Sequence, residues 1–194
     1  MNTTVLEQTE HGEVPLDVYQ KLANDRILFL SGYISTEMAM DITATLLLKD
    51  FENPDQKISL FINSDGGNIR DILMIYDMMN LITAPIETVC IGSTFNEAVI
   101  LLAAGEPGMR LATKNSFISV GTLGHDWSAH VDVVNLKKII KMSDEDNKRM
   151  MQIFADSTGK PLKQVSEDFQ RSVFMNSTKA LKYGFIDKII SFNK

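Results

Sequence analysis

Cysteine, histidine and tryptophan are scarce in this chain of 194 residues, which has one cysteine, three histidines and one tryptophan. A single cysteine excludes an intramolecular disulfide and a cysteine-rich zinc site. Cys90 lies in the apolar run ETVCI, where we expect a small buried side chain and not a reactive thiol. The histidines His11, His125 and His130 are too few for an evident metal site. We therefore expect no metal and no other cofactor.

Positive charge and long apolar runs are also in short supply. Lysine and arginine number 19 against 25 acidic residues, which gives a net charge of -6 and argues against a nucleic-acid partner. No apolar run is long enough to span a bilayer, and the first residues lack the apolar segment of a secretion signal. We therefore expect a cytoplasmic protein with no membrane association.

Short apolar runs alternate with helical patterns through the first two thirds of the chain. Capping residues at Ser35 and Asn68 precede stretches in which apolar side chains recur at helical spacing. Strands that alternate with helices favour an α/β fold with a mainly parallel sheet. With no internal repeat or linker, we expect one domain over residues 1–194. Buried strands are predicted at residues 26–30, 58–63, 87–91 and 117–120.

The last third of the chain has a different pattern. Residues 131–158 show helical periodicity without proline or glycine, and Gly159 and Pro161 then end the helix. A helix of this length predicts an arm that packs on a partner chain. It is followed by a predicted short helix at 162–168, a helix at 177–183 and a strand at 186–190.

Two strand-to-helix segments are candidates for chemistry. In GSTFNEAVILLAAG (residues 92–105), a strand is followed at once by a helix, which is where many hydrolases place a nucleophile, yet Asn96 and Glu97 enter the predicted helix. The segment SDGG at residues 64–67 has two glycines that allow backbone N–H groups to face an anion. Neither a P-loop lysine nor a GxGxxG pattern follows, so nucleotide binding is unsupported.

Several motifs together resemble one known family over residues 5–190. RILFLSGYI, SLFINSDGGN, YDMMNLI, GEPGMRLATKNS and FMNSTKALKYGFID occur in the order and spacing of the Clp protease proteolytic subunit. The resemblance implies a crotonase-like fold of repeated β-α-β units with a protruding long handle helix. It also implies an axial loop and first helix at residues 1–25, a head at 26–120 and 162–194, and a handle at 121–161.

The resemblance places the positions of the family's catalytic triad on residues that cannot perform the triad's nucleophilic attack and proton transfer. The serine position is Asn96, the histidine position is Gly121 or, with a different gap, Val120, and the aspartate position is Ser172. An amide nitrogen is a poor nucleophile, and glycine has no side chain to act as a base. The family's oxyanion-binding backbone falls on Gly67 and Glu97, where a carboxylate opposes a developing negative charge.

The resemblance therefore implies an inactive subunit with a structural or regulatory role in a Clp-type protease. The implied partners are copies of the chain itself, active subunits of the same family in ring assemblies, and a Clp ATPase unfoldase. The implied docking pocket for the unfoldase falls on Phe61, Leu81 and Leu111, with Ser59 replacing a residue that is usually aromatic.

Three alternatives stay open at the level of sequence. A rebuilt peptidase site would use Ser93 or Thr94 with His125 and the neighbouring Asp126. The structural interpretation of Ser93 and Thr94 is that they cap the following helix. The chain would alternatively be a docking module for an unfoldase without catalytic function. Acyl-CoA chemistry, which crotonase relatives perform, ranks lowest.

Overall fold

The computed structural model of the protein describes residues 4–9, 12–121 and 133–191. All three histidines, together with Asp126 and Trp127, lie outside the described residues. The N-terminal part forms a β-hairpin of β1 (Thr4–Thr9) and β2 (Gly12–Asp17). Helix α1 (Val18–Asn24) follows, and its first turn is closed by a capping box between Asp17 and Gln20. The strands predicted from the sequence do not include this hairpin.

A mixed sheet covered by helices forms the rest of the fold, as the alternating sequence pattern predicts. In the sheet, β3-β4-β5-β6-β9 are neighbours in that order and are parallel, while β7 pairs parallel with β5 and antiparallel with β8. The strands are β3 (Ile27–Ile34), β4 (Ile58–Gly67), β5 (Ile86–Phe95), β6 (Arg110–Thr113), β7 (Phe117–Val120), β8 (Val173–Asn176) and β9 (Lys188–Ile190). The helices are α2 (Thr36–Glu52), α3 (Ile69–Leu81), α4 (Ala98–Ala103), α5 (Val133–Thr158), α6 (Leu162–Gln170) and α7 (Ser177–Tyr183).

The predicted helix starts after β3 and β4 are confirmed by side-chain caps. The Ser35 hydroxyl accepts from the Met38 N–H at 3.3 Å, and the Asn68 side chain accepts from the Arg70 N–H at 2.9 Å. Each cap satisfies an N–H that has no partner within its own helix.

The strands β4 and β5 run further than their apolar patterns predict. A register shift between Ile62 and Ser64 bends the pair, and Ser64 then pairs with Thr94. The second half of β5 pairs with β7 instead of β6. The interpretation of Ser93 and Thr94 as helix caps is therefore wrong, because both residues lie in a strand and helix α4 begins only at Ala98.

A continuous hydrophobic cluster joins the sheet to its helices. Helix α4, with the sequence AVILLA, is buried on every side, which explains why it has no polar face. No helix of the described residues is long and apolar enough to cross a bilayer.

The long helix α5 is anchored at its C-terminal half and exposed at its N-terminal half. Phe154 is fully buried and contacts Phe169 and Phe185, with ring centroids 6.1 and 5.2 Å apart. Towards the other end, Val134 and Ile140 expose about half or more of their side chains. The anchored half holds the helix to α6 and to the segment after α7, while the other half exposes apolar side chains such as that of Ile140.

Arg26 closes the C-terminal end of α2 from the start of β3. Its guanidinium donates to the carbonyls of Lys49, Asn53, Gln56 and Lys57 at 2.7–3.2 Å. The Lys49 carbonyl also accepts from the Asn53 N–H at 3.1 Å, so the guanidinium adds a further hydrogen bond to the last turn of α2. The arginine adopts a φ of 64°, an unusual value for a side chain of this size, so these hydrogen bonds hold a strained backbone.

An ion pair joins β6 to the segment before β9. The arginine of this pair also donates to the last turn of helix α5. The Arg110 guanidinium donates to both carboxylate oxygens of Asp187 at 2.6 and 2.9 Å, and to the Ser157 carbonyl at 2.9 Å. The Gly108 N–H also donates to Asp187, at 2.8 Å. Burial of the Asp187 carboxyl opposes its ionisation, but these hydrogen bonds and the Arg110 charge outweigh burial and lower its pKa below the ordinary 3.8.

The lowered pKa predicts a pH-dependent contribution to stability. Because the folded-state pKa lies below the unfolded one, the contribution is complete above pH 3.8 and is lost as the pH falls through the folded value. We expect Asp187→Asn to cost about 1–3 kcal/mol of unfolding free energy at pH 7, since it removes a charged acceptor. Urea denaturation at pH 7 and below pH 3.8 measures this. A difference between wild type and Asp187→Asn that does not shrink in acid would contradict the assignment.

Candidate functional site

Strand β7 brings the three predicted triad positions together. Phe95 at the end of β5 pairs with Ser119 of β7, and the next residue, Asn96, donates its N–H to the Ser119 carbonyl at 2.8 Å. On the other side of β7, Val120 pairs antiparallel with Val173. This register places Gly121 opposite Ser172. The neighbours on both sides of β7 therefore converge at its C-terminal end.

The geometry at this point distinguishes the two candidates for the histidine position. A Cβ atom at Gly121 would lie 2.9 Å from the Ser172 hydroxyl oxygen and 3.7 Å from the Asn96 amide oxygen. Val120 instead belongs to the hydrophobic core. A side chain at position 121 would therefore face both other positions, and this arrangement favours Gly121 over Val120.

Two of these positions have an unusual backbone conformation. Among the described residues, three that are not glycine have a positive φ, and two of them are Asn96 (52°) and Ser172 (51°). Asparagine tolerates this left-handed region better than most residues, whereas serine adopts it less readily. Backbone strain of this kind persists where the surrounding structure enforces it and is concentrated at functional sites.

The Asn96 side chain has a structural role at the site. Its amide nitrogen donates to the Asp65 carbonyl at 3.1 Å and so connects the entry to α4 with the end of β4. A delocalised amide nitrogen that already donates a hydrogen bond has no lone pair with which to attack a carbonyl.

Glu97 turns its carboxylate towards the glycines of SDGG. The side chain is 7% exposed, and its Oε2 lies 3.5 Å from the Gly67 nitrogen, which donates to it. A Cβ atom at Gly66 would overlap the same carboxylate oxygen, and a Cβ atom at Gly67 would overlap the Ile34 carbonyl. Glycine is therefore required at both positions for the close approach of a carboxylate and of strand β3.

These residues line a cavity of about 540 Å³ between the head and helix α5. Arg70 on α3 and Asp146 on α5, which both line it, form an ion pair at 3.2 Å. Sequence reasoning missed this pair. The two residues are 76 positions apart, and each stands in a helical pattern where a charge is usually solvated, so no local signal could have identified it.

The rebuilt-site hypothesis requires the Ser93 or Thr94 hydroxyl together with His125. The structure describes the two hydroxyl groups but not the histidine. Thr94 is fully buried, and its hydroxyl lies 3.1 Å from the Cys90 sulfur, so it faces the core. The Ser93 hydroxyl lies 3.5 Å from the Asn63 side-chain oxygen, and its N–H donates to the same atom at 3.0 Å. His125 lies outside the described residues. Thr94 is therefore a core residue, and Ser93 is the one hydroxyl of this pair near the surface.

The predicted docking residues are divided between two surfaces. Phe61 pairs with Val89, and Val89 pairs with Leu111, so these residues occupy one row across three parallel strands. Leu81 is largely exposed and lines a different groove, between α2, α3 and α5. Within one chain the structure therefore brings together Phe61 and Leu111 but not Leu81.

The Ser59 position carries a polar network. Its hydroxyl donates to Glu87 at 2.9 Å, and the Lys57 ammonium pairs with the same carboxylate oxygen at 2.9 Å. Phe61 itself stacks on Phe29 with ring centroids 5.2 Å apart. The row next to the Phe61 row, in which Ser59 pairs with Glu87, is thus charged and hydrogen-bonded instead of aromatic.

The mainly parallel α/β sheet and the three positions that converge near Gly66 form a scaffold with one candidate site. Comparison with known proteins identifies it more closely. Residues 10–193 match the family model described as Clp protease. The chain is also similar to the ATP-dependent Clp protease proteolytic subunit of Deinococcus radiodurans, with 38% identity over 188 residues, 96% of this chain and 90% of that protein.

The chain belongs to the Clp protease family. This is a family of serine proteases, so the convergent positions lie on a proteolytic scaffold. The family resemblance seen in the sequence motifs and the α/β fold with a mainly parallel sheet are confirmed.

Proposed function

We propose that this chain is a Clp protease subunit without its own peptidase chemistry, with a structural or regulatory role in ring assemblies. The observation that carries the proposal is the convergence of Asn96, Gly121 and Ser172 at the end of β7. Their side chains are an amide, a single hydrogen and a hydroxyl. Proton transfer to a base is required to activate a hydroxyl nucleophile, and none of these three groups is a base near neutral pH.

The scaffold around the positions supports an inherited site. Asn96 and Ser172 adopt a left-handed backbone conformation, and Gly66 lies within 3.5 Å of Asn96 as measured from an added Cβ atom. Selection for a ring-forming subunit preserves the fold and its contact surfaces and places no demand on the nucleophile. The proposed partners are copies of this chain, active subunits of the same family and a Clp ATPase unfoldase.

The exposed half of α5 supports assembly. Leu136 and Ile140 lie four residues apart on one face of this helix and are 36% and 49% exposed. Apolar residues repeated along an exposed helix face are typical of a surface that another chain covers. A helix of 26 residues anchored at one end reaches far enough to form such a contact.

Mixing with an active family member tests the proposal directly. We expect native mass spectrometry to detect rings that contain both chains after co-expression. Ile140→Gln should weaken assembly about tenfold, because truncating a central apolar contact costs more than about 1 kcal/mol. Lys138→Gln, at an exposed position on the same helix, should leave assembly within about threefold.

The oligomeric state can also contradict the proposal. A monodisperse monomer at micromolar concentration, alone and with an active subunit present, would contradict a role in ring assemblies. Equal effects of Ile140→Gln and Lys138→Gln would show that the exposed face of α5 is not an assembly contact.

A further inference from the structure

We propose that the Glu97 carboxylate is an intramolecular ligand of the Gly67 N–H group, which we call the amide cradle. This cradle binds an external carboxylate once Glu97 is replaced. The inference deepens the proposed function and rests on it in one respect, namely that no reacting carbonyl uses this cradle in the native chain. The site it assigns is therefore an anion site occupied by the protein itself.

The contacts of Glu97 support occupancy of the cradle. Its Oε2 accepts from the Gly67 N–H at 3.5 Å and lies so close to Gly66 that a Cβ atom there would overlap it. The side chain is buried although it carries a carboxylate. Burial of a carboxylate is costly unless hydrogen-bond donors compensate it, so the N–H of Gly67 has a direct energetic role.

The cradle is held rigid by contacts on its other side. The Gly66 N–H donates to the Ser64 hydroxyl at 3.2 Å, and that hydroxyl in turn donates to the Gly32 carbonyl at 2.6 Å. Gly67 packs so closely on Ile34 that no Cβ atom fits. Of the two glycine N–H groups, only that of Gly67 therefore faces Glu97, in a backbone geometry that does not depend on Glu97.

The charges lining the cavity disfavour a second anion while Glu97 is in place. Asp65 and Asp146 line the same cavity, and among its described lining residues the one cation, Arg70, is paired with Asp146. An external carboxylate must therefore displace Glu97 before it can reach the Gly67 N–H. Its apparent affinity is reduced by the fraction of molecules in which Glu97 has moved away.

Nuclear magnetic resonance of glycine-labelled protein tests this site without an activity assay. The chain has 11 glycines, so ¹⁵N-glycine labelling isolates the Gly67 amide signal among few others. Sodium acetate is titrated at constant ionic strength into wild type, Glu97→Ala and Asp65→Ala. We expect a saturable Gly67 shift in Glu97→Ala, half-complete at an acetate concentration at least about tenfold lower than in wild type.

The Asp65→Ala variant separates the effect of Glu97 occupying the cradle from the effect of negative charge in the cavity. It removes one negative charge from the same cavity but leaves Glu97 in the cradle, so its Gly67 response should change far less than that of Glu97→Ala. Equal acetate responses in Asp65→Ala and Glu97→Ala would overturn the inference. So would a wild-type signal that responds as strongly as Glu97→Ala, or a Glu97→Ala signal that does not respond.

Glu97→Gln provides a second measurement that keeps the size of the side chain. Replacing a charged acceptor by a neutral one weakens the hydrogen bond, so the Gly67 amide proton should move upfield from its wild-type position. An unchanged Gly67 signal in Glu97→Gln would overturn the inference even if Glu97→Ala did not fold. Peptide turnover by the wild-type chain would instead contradict the proposed function and leave the Gly67 result standing.

Discussion

Peptide hydrolysis by the purified chain is expected to be about 10⁶-fold slower than hydrolysis by a catalytically active family member, which places it below ordinary detection. A loss of this order follows when a serine protease is deprived of its nucleophile and base. In the proposed inactive subunit, Asn96 stands at the nucleophile position, and its amide already donates a hydrogen bond to the Asp65 carbonyl. Gly121 offers no base, and Glu97 places negative charge where an oxyanion would need donors.

Fluorogenic peptides and a fluorophosphonate probe measure this prediction together. Intact-mass analysis after exposure to the probe should show no stoichiometric adduct. Ser93→Ala is the control, because Ser93 is the hydroxyl that the rebuilt-site hypothesis requires near the surface. Trace activity that persists in Ser93→Ala comes from a contaminant. Clean labelling of Ser93 in wild type, lost in Ser93→Ala, would establish a rebuilt site and refute our proposal.

Phe154→Ala is expected to lower the free energy of unfolding by about 3–5 kcal/mol. Phe154 is fully buried and contacts two other aromatic rings, those of Phe169 and Phe185. Removing the ring forfeits its transfer free energy and leaves a cavity that the two neighbouring rings close only in part. The loss falls on the contact that anchors helix α5 to α6 and to the segment after α7.

Urea denaturation of wild type, Phe154→Ala and Phe154→Leu gives the measurement and its control. Leucine at position 154 retains much of the apolar volume, so we expect a cost of about 1–2 kcal/mol. If Phe154→Ala changed the unfolding free energy by less than about 1 kcal/mol, the handle would not depend on this anchor. An unchanged slope against urea shows that both variants unfold from the same compact state.

The proposed loss of the triad and the proposed occupancy of the Gly67 N–H by Glu97 are separate obstacles to catalysis. Restoring a nucleophile at position 96 would leave the Glu97 carboxylate beside the Gly67 N–H. Opening the cradle at position 97 would leave Asn96 and Gly121 unable to transfer a proton. Because the two obstacles involve different groups, activity measurements and the glycine spectra report on them independently.

The secondary structure was predictable where apolar residues repeat over several turns or strand positions. Helices α2 and α3 begin at the predicted caps Ser35 and Asn68, and α5 ends at Thr158 before Gly159 as expected. The short strands β6 and β8 were missed, because four residues such as RLAT or VFMN carry no periodicity. The ends of β4 and β5 were missed because a register shift extends pairing through Gly-rich segments that usually mark turns.

The sequence itself determined the chemical groups, because the amide at position 96, the glycine at 121 and the serine at 172 do not depend on the fold. Their proximity was decided by the tertiary structure. Strand β8, which local pattern did not indicate, pairs with β7 and so places Ser172 opposite Gly121. The same is true of Glu97 over Gly67 and of Arg70 with Asp146, because contacts between residues 30 and 76 positions apart depend on how elements pack and not on local periodicity.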